Sequence, residues 1–123
     1  QQGQDVTING KKIKAKDVTY ASPGKKLTII FDTAPFADLA KFAKDSDLLI
    51  CEGTFSNKLR DKVKDYGHLT VKDAAKIAKS AKASKLVLTH FSQRYKDVSE
   101  LKKEATSVFK NTTLAKDFMI VNV

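Results

Sequence analysis

The sequence predicts an α/β fold in which strands alternate with helices and pair largely in parallel. Three observations lead there. Apolar runs of strand length occur at 27–31, 48–51 and 85–89. Between them apolar residues recur at helical spacing, as in Phe55, Leu59 and Val63, or Val71, Ala74, Ala75, Ala78 and Ala81. Each of the three runs also ends abruptly in polar residues.

The elements follow in order. Val6, Ile8 and Ile13 surround Asn9-Gly10. Asn-Gly between short alternating apolar stretches predicts a hairpin, because a type I′ turn needs positive φ at both central residues. Ser22-Pro23-Gly24 marks a second turn, and 27–31 then reads as a buried strand, apolar almost throughout. Thr33 to Pro35 is expected to open a helix with Phe36, Leu39, Ala40 and Ala43 along one face. A strand at 48–51 and a short helix ending near Tyr66-Gly67 come next. Thr70-x-x-Asp73 resembles a capping box, so another helix should start there, and its alanines imply close packing on a sheet. After the strand at 85–89, Asp97-x-x-Glu100 is expected to cap a last helix carrying Val98, Leu101, Ala105, Val108 and Phe109 inward. Residues 118–121 read as a final strand. With no internal repeat or low-complexity linker, residues 1–123 are expected to form one unit.

Composition bounds the function. A chain of 123 residues with 41% hydrophobic content can bury one globular core. No apolar run nears the ~20 residues that span a bilayer. The polar first residues lack the apolar stretch of a secretory leader, so a cytoplasmic protein without membrane contact is expected. The missing initiator Met points to a piece of a longer chain. A single cysteine, Cys51, excludes a disulfide framework and cysteine-clustered zinc, and within an apolar run it reads as buried and inert. Lys and Arg outnumber Asp and Glu 23 to 14, for a net charge of +9, and all but Arg60 and Arg94 are lysine. Such a balance attracts polyanions through counterion release, but it equally fits a solvated lysine-rich surface. Nucleic acid is permitted by it, not required.

In open α/β sheets functional groups collect beyond the strand ends, where loops converge. Here those ends carry Asp32-Thr33, Glu52-Gly53-Thr54 and His90-Phe91-Ser92, while Gly67-His68 sits just before a helix start, where backbone N–H groups favour anions. Each residue alone has an ordinary structural reading. Asp32 can cap a helix, Glu52 can pair with a lysine, His68 can be an exposed loop residue and His90 a satisfied histidine at the rim of the core. Their coincidence argues for function, since the only two histidines and two acids all fall on such loops. Asp with His suits zinc, yet two ligands do not hold it tightly.

Four segments, in order, resemble ribonuclease Z, the tRNA 3′-processing endonuclease family of the metallo-β-lactamase superfamily. Asp32-Thr33-Ala34-Pro35 is similar to its Gly-Asp-Thr-Arg-Pro segment, and Cys51-Glu52-Gly53-Thr54-Phe55 to its His-Glu-Ala-Thr-Phe. Gly67-His68-Leu69-Thr70 resembles its Gly-His-Ser-Thr, and the run from Leu88 to Tyr95 its Leu-Thr-His-Phe-Ser-Pro-Arg-Tyr. Thr89-His90-Phe91-Ser92-x-Arg94-Tyr95 is the most specific piece.

The resemblance implies the C-terminal half of a metallo-β-lactamase αββα sandwich, a mixed sheet with helices on one face. It implies Asp32 and His90 as metal ligands, Asp32 bridging two ions, with zinc expected and other divalent metals allowed. It implies His68 and Glu52 as the catalytic pair assisting the phosphate, His68 serving the leaving oxygen. The substrate implied is precursor tRNA, cleaved to a free 3′-hydroxyl.

The sequence departs from the family pattern at Phe31 for Gly, Ala34 for Arg, Cys51 for His, Gly53 for Ala, Leu69 for Ser and Gln93 for Pro. The superfamily's His-x-His-x-Asp-His motif occurs nowhere in the chain and is expected N-terminal to Gln1. The chain alone should therefore bind zinc poorly and cleave no tRNA. A half-fold also exposes apolar surface, so association is expected with the missing N-terminal half or as a homodimer. Two other functions fit the residues: a non-catalytic basic module binding RNA or a partner, and another phosphodiesterase of the same fold.

Overall fold

The structure, a computed structural model, describes residues 3–123. Strands β1 (Val6–Ile8) and β2 (Lys11–Ile13) pair antiparallel across Asn9 and Gly10, at φ 50° and 75°. The expected hairpin is present, with both turn residues in the left-handed region that Asn and Gly tolerate. A four-residue helix, α1 (Ala15–Val18), follows it, with its Ala15 N–H donated to the Asp5 carboxylate at 3.0 Å. No helical periodicity announces so short an element.

The body is a sheet of β3 (Leu27–Ile30), β4 (Leu48–Glu52), β5 (Leu86–Thr89) and β6 (Thr112–Leu114), in that spatial order and parallel throughout. Helices α2 (Leu39–Phe42), α4 (Val71–Ser80) and α5 (Ser99–Thr106) pack together against it, while α3 (Arg60–Tyr66) continues a 3-10 turn at Asn57–Leu59. Leu49, Cys51, Leu86 and Leu88 of the strands and Ala74, Ala75 and Ala78 of α4 share one core and are completely buried. Alanine on the inner face of α4 lets its backbone approach the sheet closely. Each large apolar side chain buried there contributes about 1.5–3 kcal/mol.

The opposite face of the sheet is bare at its β3 side. Along β3 burial alternates, with Thr28 and Ile30 inside and Leu27 and Ile29 about half exposed. The strand is thus covered on one face only, where continuous apolar sequence predicts cover on both. Antiparallel pairing lies in the separate β1–β2 ribbon, so the main sheet is purely parallel rather than mixed.

Three element boundaries also differ from expectation. The helix after β3 starts at Leu39, not at Thr33–Pro35, because Thr33 donates its N–H to the Glu52 carboxylate at 2.7 Å and the chain runs irregularly to Asp38. Leu39 and Ala43 are buried as expected, whereas Phe36 is exposed. Asp97 does not cap α5 but closes a local turn, accepting Ser99 N–H at 2.9 Å and Ser99 Oγ at 2.6 Å; the cap position is Val98. The last strand is Thr112–Leu114, which takes the place beside β5, and 118–121 is irregular with Phe118 and Ile120 exposed. Among the described residues no helix is long and apolar enough to cross a membrane.

Candidate metal and phosphodiester site

The C-terminal ends of β3, β4 and β5 lie side by side in parallel register, with Ile30 beside Cys51, Cys51 beside Leu88 and Glu52 beside Thr89. The next residues therefore converge. Asp32 and His90 both turn the chain sharply, at φ 48° and 57°. Asp and His are among the few side chains that enter the left-handed region, and a residue held there costs on the order of 1–3 kcal/mol. The turns bring Asp32, His68 and His90 together, with one ligand atom of each within 4.8 Å of the others. His90 Nδ1 stands 3.4 Å and His68 Nδ1 3.7 Å from Asp32 Oδ1, and the two imidazole centroids are 5.4 Å apart. The cluster faces solvent: the side chains of Asp32 and His90 are 70% and 48% exposed.

Glu52 lies beneath it, fully buried. Its Oε1 accepts the Thr33 N–H at 2.7 Å. Its Oε2 meets Thr54 Oγ1 at 2.6 Å, His68 Nδ1 at 3.0 Å and the Leu69 N–H at 3.1 Å. A buried carboxylate is costly unless its lone pairs are satisfied, and four donors satisfy these. They come from the loops after β3 and β4 and the loop before α4, so one side chain ties the parts of the site together. Where Glu52 is ionised it only accepts, so His68 Nδ1 is then the donor and Nε2 is left for other work.

Sequence reasoning missed Thr54, whose hydroxyl lies 3.2 Å from His90 Nδ1 while donating to Glu52. It also missed the backbone of Thr33 and Leu69, and Phe55, whose ring meets His68 edge-on at 6.1 Å. Thr54 and Phe55 stand in the matched Glu52–Phe55 segment, and that was their signal; backbone donors leave none. The loops are further fastened by Gly53 N–H to Thr89 O at 2.9 Å and Ser92 N–H to Thr54 O at 3.0 Å.

Several departures from the family pattern fall on the core side. Cys51 and Leu69 are fully buried, and burial followed by the nearby Glu52 charge pushes the Cys51 thiol far above its usual range. Gly53 packs against Val71 and Leu88. A wider concavity of about 830 Å³ lies between the hairpin and α1, but among the described residues no acid or histidine lines it.

No family model matches the chain. It is 40% identical over 124 residues to ribonuclease Z of Nitrosopumilus maritimus, an alignment covering 100% of this chain and 42% of that protein. The structure of human tRNase Z, short form, superposes with a TM-score of 0.64 at 35% identity, covering 90% of this chain and 36% of that one. The metallo-β-lactamase fold protein YhfI of Bacillus subtilis gives a TM-score of 0.67 at 31% identity, over 73% of this chain and 36% of that one. The chain spans about two fifths of the length of the curated relatives it matches. It is related over nearly its whole length to a part of ribonuclease Z, and it has the fold of part of a metallo-β-lactamase-fold protein.

Proposed function

We propose that this chain supplies part of the active site of a tRNA 3′-processing endoribonuclease, which hydrolyses a phosphodiester of precursor tRNA and leaves a 3′-hydroxyl. The observation carrying this reading is the convergence of Asp32, His68 and His90 at one sheet edge in a chain similar to ribonuclease Z. The donor set fits a metal: carboxylate oxygen and imidazole nitrogen both suit zinc, and Asp32 and His90 are exposed enough to meet it. Asp32 and His90 would hold zinc, with other divalent metals as substitutes. Bound there, the metal supplies Lewis-acid charge that polarises a phosphoryl oxygen. Two ions per complete site need ligands beyond these, proposed to come from the remainder of a longer protein.

The chain's own residues then have separate work. Glu52 Oε2 holds Nδ1–H of His68 at 3.0 Å and fixes the ring, so that in the imidazolium form, with a second proton taken from water, Nε2 gives that proton to the leaving oxygen. Thr54 Oγ1 orients His90 at 3.2 Å. The lysine excess of the chain, with its net charge of +9, favours the phosphate backbone. The bare face at β3 is proposed to be covered by the complementary part of the longer protein, or by a second copy when the chain stands alone. The setting is proposed to be cytoplasmic, without membrane contact.

The test is a chimera in which this chain replaces the matched segment of the Nitrosopumilus maritimus ribonuclease Z. Loaded with zinc, it should trim precursor tRNA to a 3′-hydroxyl, His68→Ala should slow turnover about 10²–10⁴-fold, and Asp32→Asn should abolish it. A folded, metal-loaded chimera that leaves tRNA intact would overturn the reading. The 123-residue chain alone should bind zinc weakly and cleave nothing; turnover by it would refute that part. One second reading keeps the fold shared with YhfI and changes the substrate, a phosphodiesterase acting on something other than tRNA. Hydrolysis of a simple diester by the same chimera, without tRNA cleavage, would select it.

A further inference from the structure

Beside the cluster lies a small hollow of about 160 Å³, lined by Phe55, Leu59, Val63, Tyr66 and Arg94. Val63 is buried and Leu59 half-buried, so apolar side chains form much of its lining, while Tyr66 is 68% exposed. Arg94 is held in place from two directions: its Cζ stands 4.9 Å from the Phe55 ring centroid, and its Nε donates to Ser92 Oγ at 3.2 Å. Among the described residues it has no carboxylate in ion-pair range, unlike Arg60, which meets Asp73 at 3.6 Å. The terminal N–H groups of its guanidinium fork are therefore unclaimed by acids. Phe55 links this hollow to the cluster, since the same ring packs edge-on against His68.

We propose that the hollow is a nucleotide subsite, in which Tyr66 and the apolar lining take one unpaired base and Arg94 takes that nucleotide's phosphate. An aromatic face beside a fixed guanidinium is the combination that binds single-stranded nucleic acid, the ring stacking on any base and the fork pairing with phosphate oxygens. A simple anion would need Arg94 alone, and the exposed Tyr66 and apolar lining would add nothing to its binding. The space admits a single ring system and no base pair. The subsite rests on the RNA reading above and deepens it, placing an unpaired nucleotide next to the reacting phosphate.

The experiment compares the affinity of the full chain for a short single-stranded RNA and for the same ribose-phosphate backbone without bases. The base-bearing strand should bind about tenfold more tightly. Tyr66→Leu, at an exposed position, should erase that difference and leave binding of the abasic strand unchanged. Arg94→Gln should weaken both strands and flatten the salt dependence by about 0.7 in log–log slope, the share of one phosphate contact; Arg94→Lys should recover the slope. If RNA binds but Tyr66→Leu keeps the base preference, or wild type shows none, the subsite is refuted while RNA binding stands. If neither strand binds, the subsite is refuted, while the RNA reading stands or falls with the chimera.

Discussion

Two residues of the cluster, Asp32 and His90, sit at positive φ immediately beyond parallel strands. Backbone strain of this kind persists where the surroundings over-determine it, and here it turns both side chains toward one point. Replacing Asp32 with Gly should release strain of about 1 kcal/mol while removing a proposed metal ligand. Thermal unfolding is then expected to show no loss of stability, with zinc affinity reduced in the chimera; a marked drop in Tm would contradict the strain argument. Glu52 behaves oppositely. Glu52→Gln sets an NH2 group against one of the surrounding donors, leaving donors unpaired in a fully buried place. Urea unfolding should report a loss of about 1–3 kcal/mol.

Among the elements, β3 and β4 are fastened at their starts by Asp47, whose carboxylate accepts the Lys26 N–H at 2.8 Å and Lys25 Nζ at 3.1 Å. The Lys26 backbone bond first, and then Lys25, hold its pKa below the usual carboxylate value of 3.8. A depressed folded-state pKa means the contribution is present above 3.8 and is lost as pH falls through the lowered value. Asp47→Asn should therefore remove part of the acid-side fall in stability, as followed by circular dichroism from neutral pH downward. Packing between β4 and α4 sets a second test. A Cβ on Gly53 would lie 2.9 Å from Val71 Cγ1 and 3.2 Å from Leu88 Cδ2. Gly53→Ala should cost about 1–3 kcal/mol by overpacking, and Val71→Ala in the same chain should recover part of it. Equal stability of Gly53→Ala and the parent would show that the sheet-to-helix spacing is looser than the structure has it.

For the whole molecule the open question is the bare sheet face. Leu27, Ile29 and Phe31 alternate along one edge, each about half exposed, and such contiguous apolar surface marks an interface. Sedimentation should find the isolated chain associated, and Leu27→Lys with Ile29→Lys should shift it toward monomer without loss of helix signal. A parent chain that is monomeric at high concentration would rule this out.

Local pattern was enough to read much of this protein: the Asn9-Gly10 hairpin, the strands at β3 to β5, the Thr70 cap of α4, whose hydroxyl accepts the Asp73 N–H at 3.1 Å, and the polar residues at strand ends. These features depend on turn chemistry, capping and periodicity, which act within a few residues. The late start of α2, the displaced last strand and the one-sided cover of β3 were not legible, because each depends on what packs or bonds from a distance. Asp32 illustrates the division. Its identity and its place after an apolar run were plain in the chain, and a helix cap was a fair alternative for it. Only the tertiary structure, by laying β3, β4 and β5 in parallel register and burying Glu52 beneath them, carried it to within 3.4 Å of a histidine 58 residues away.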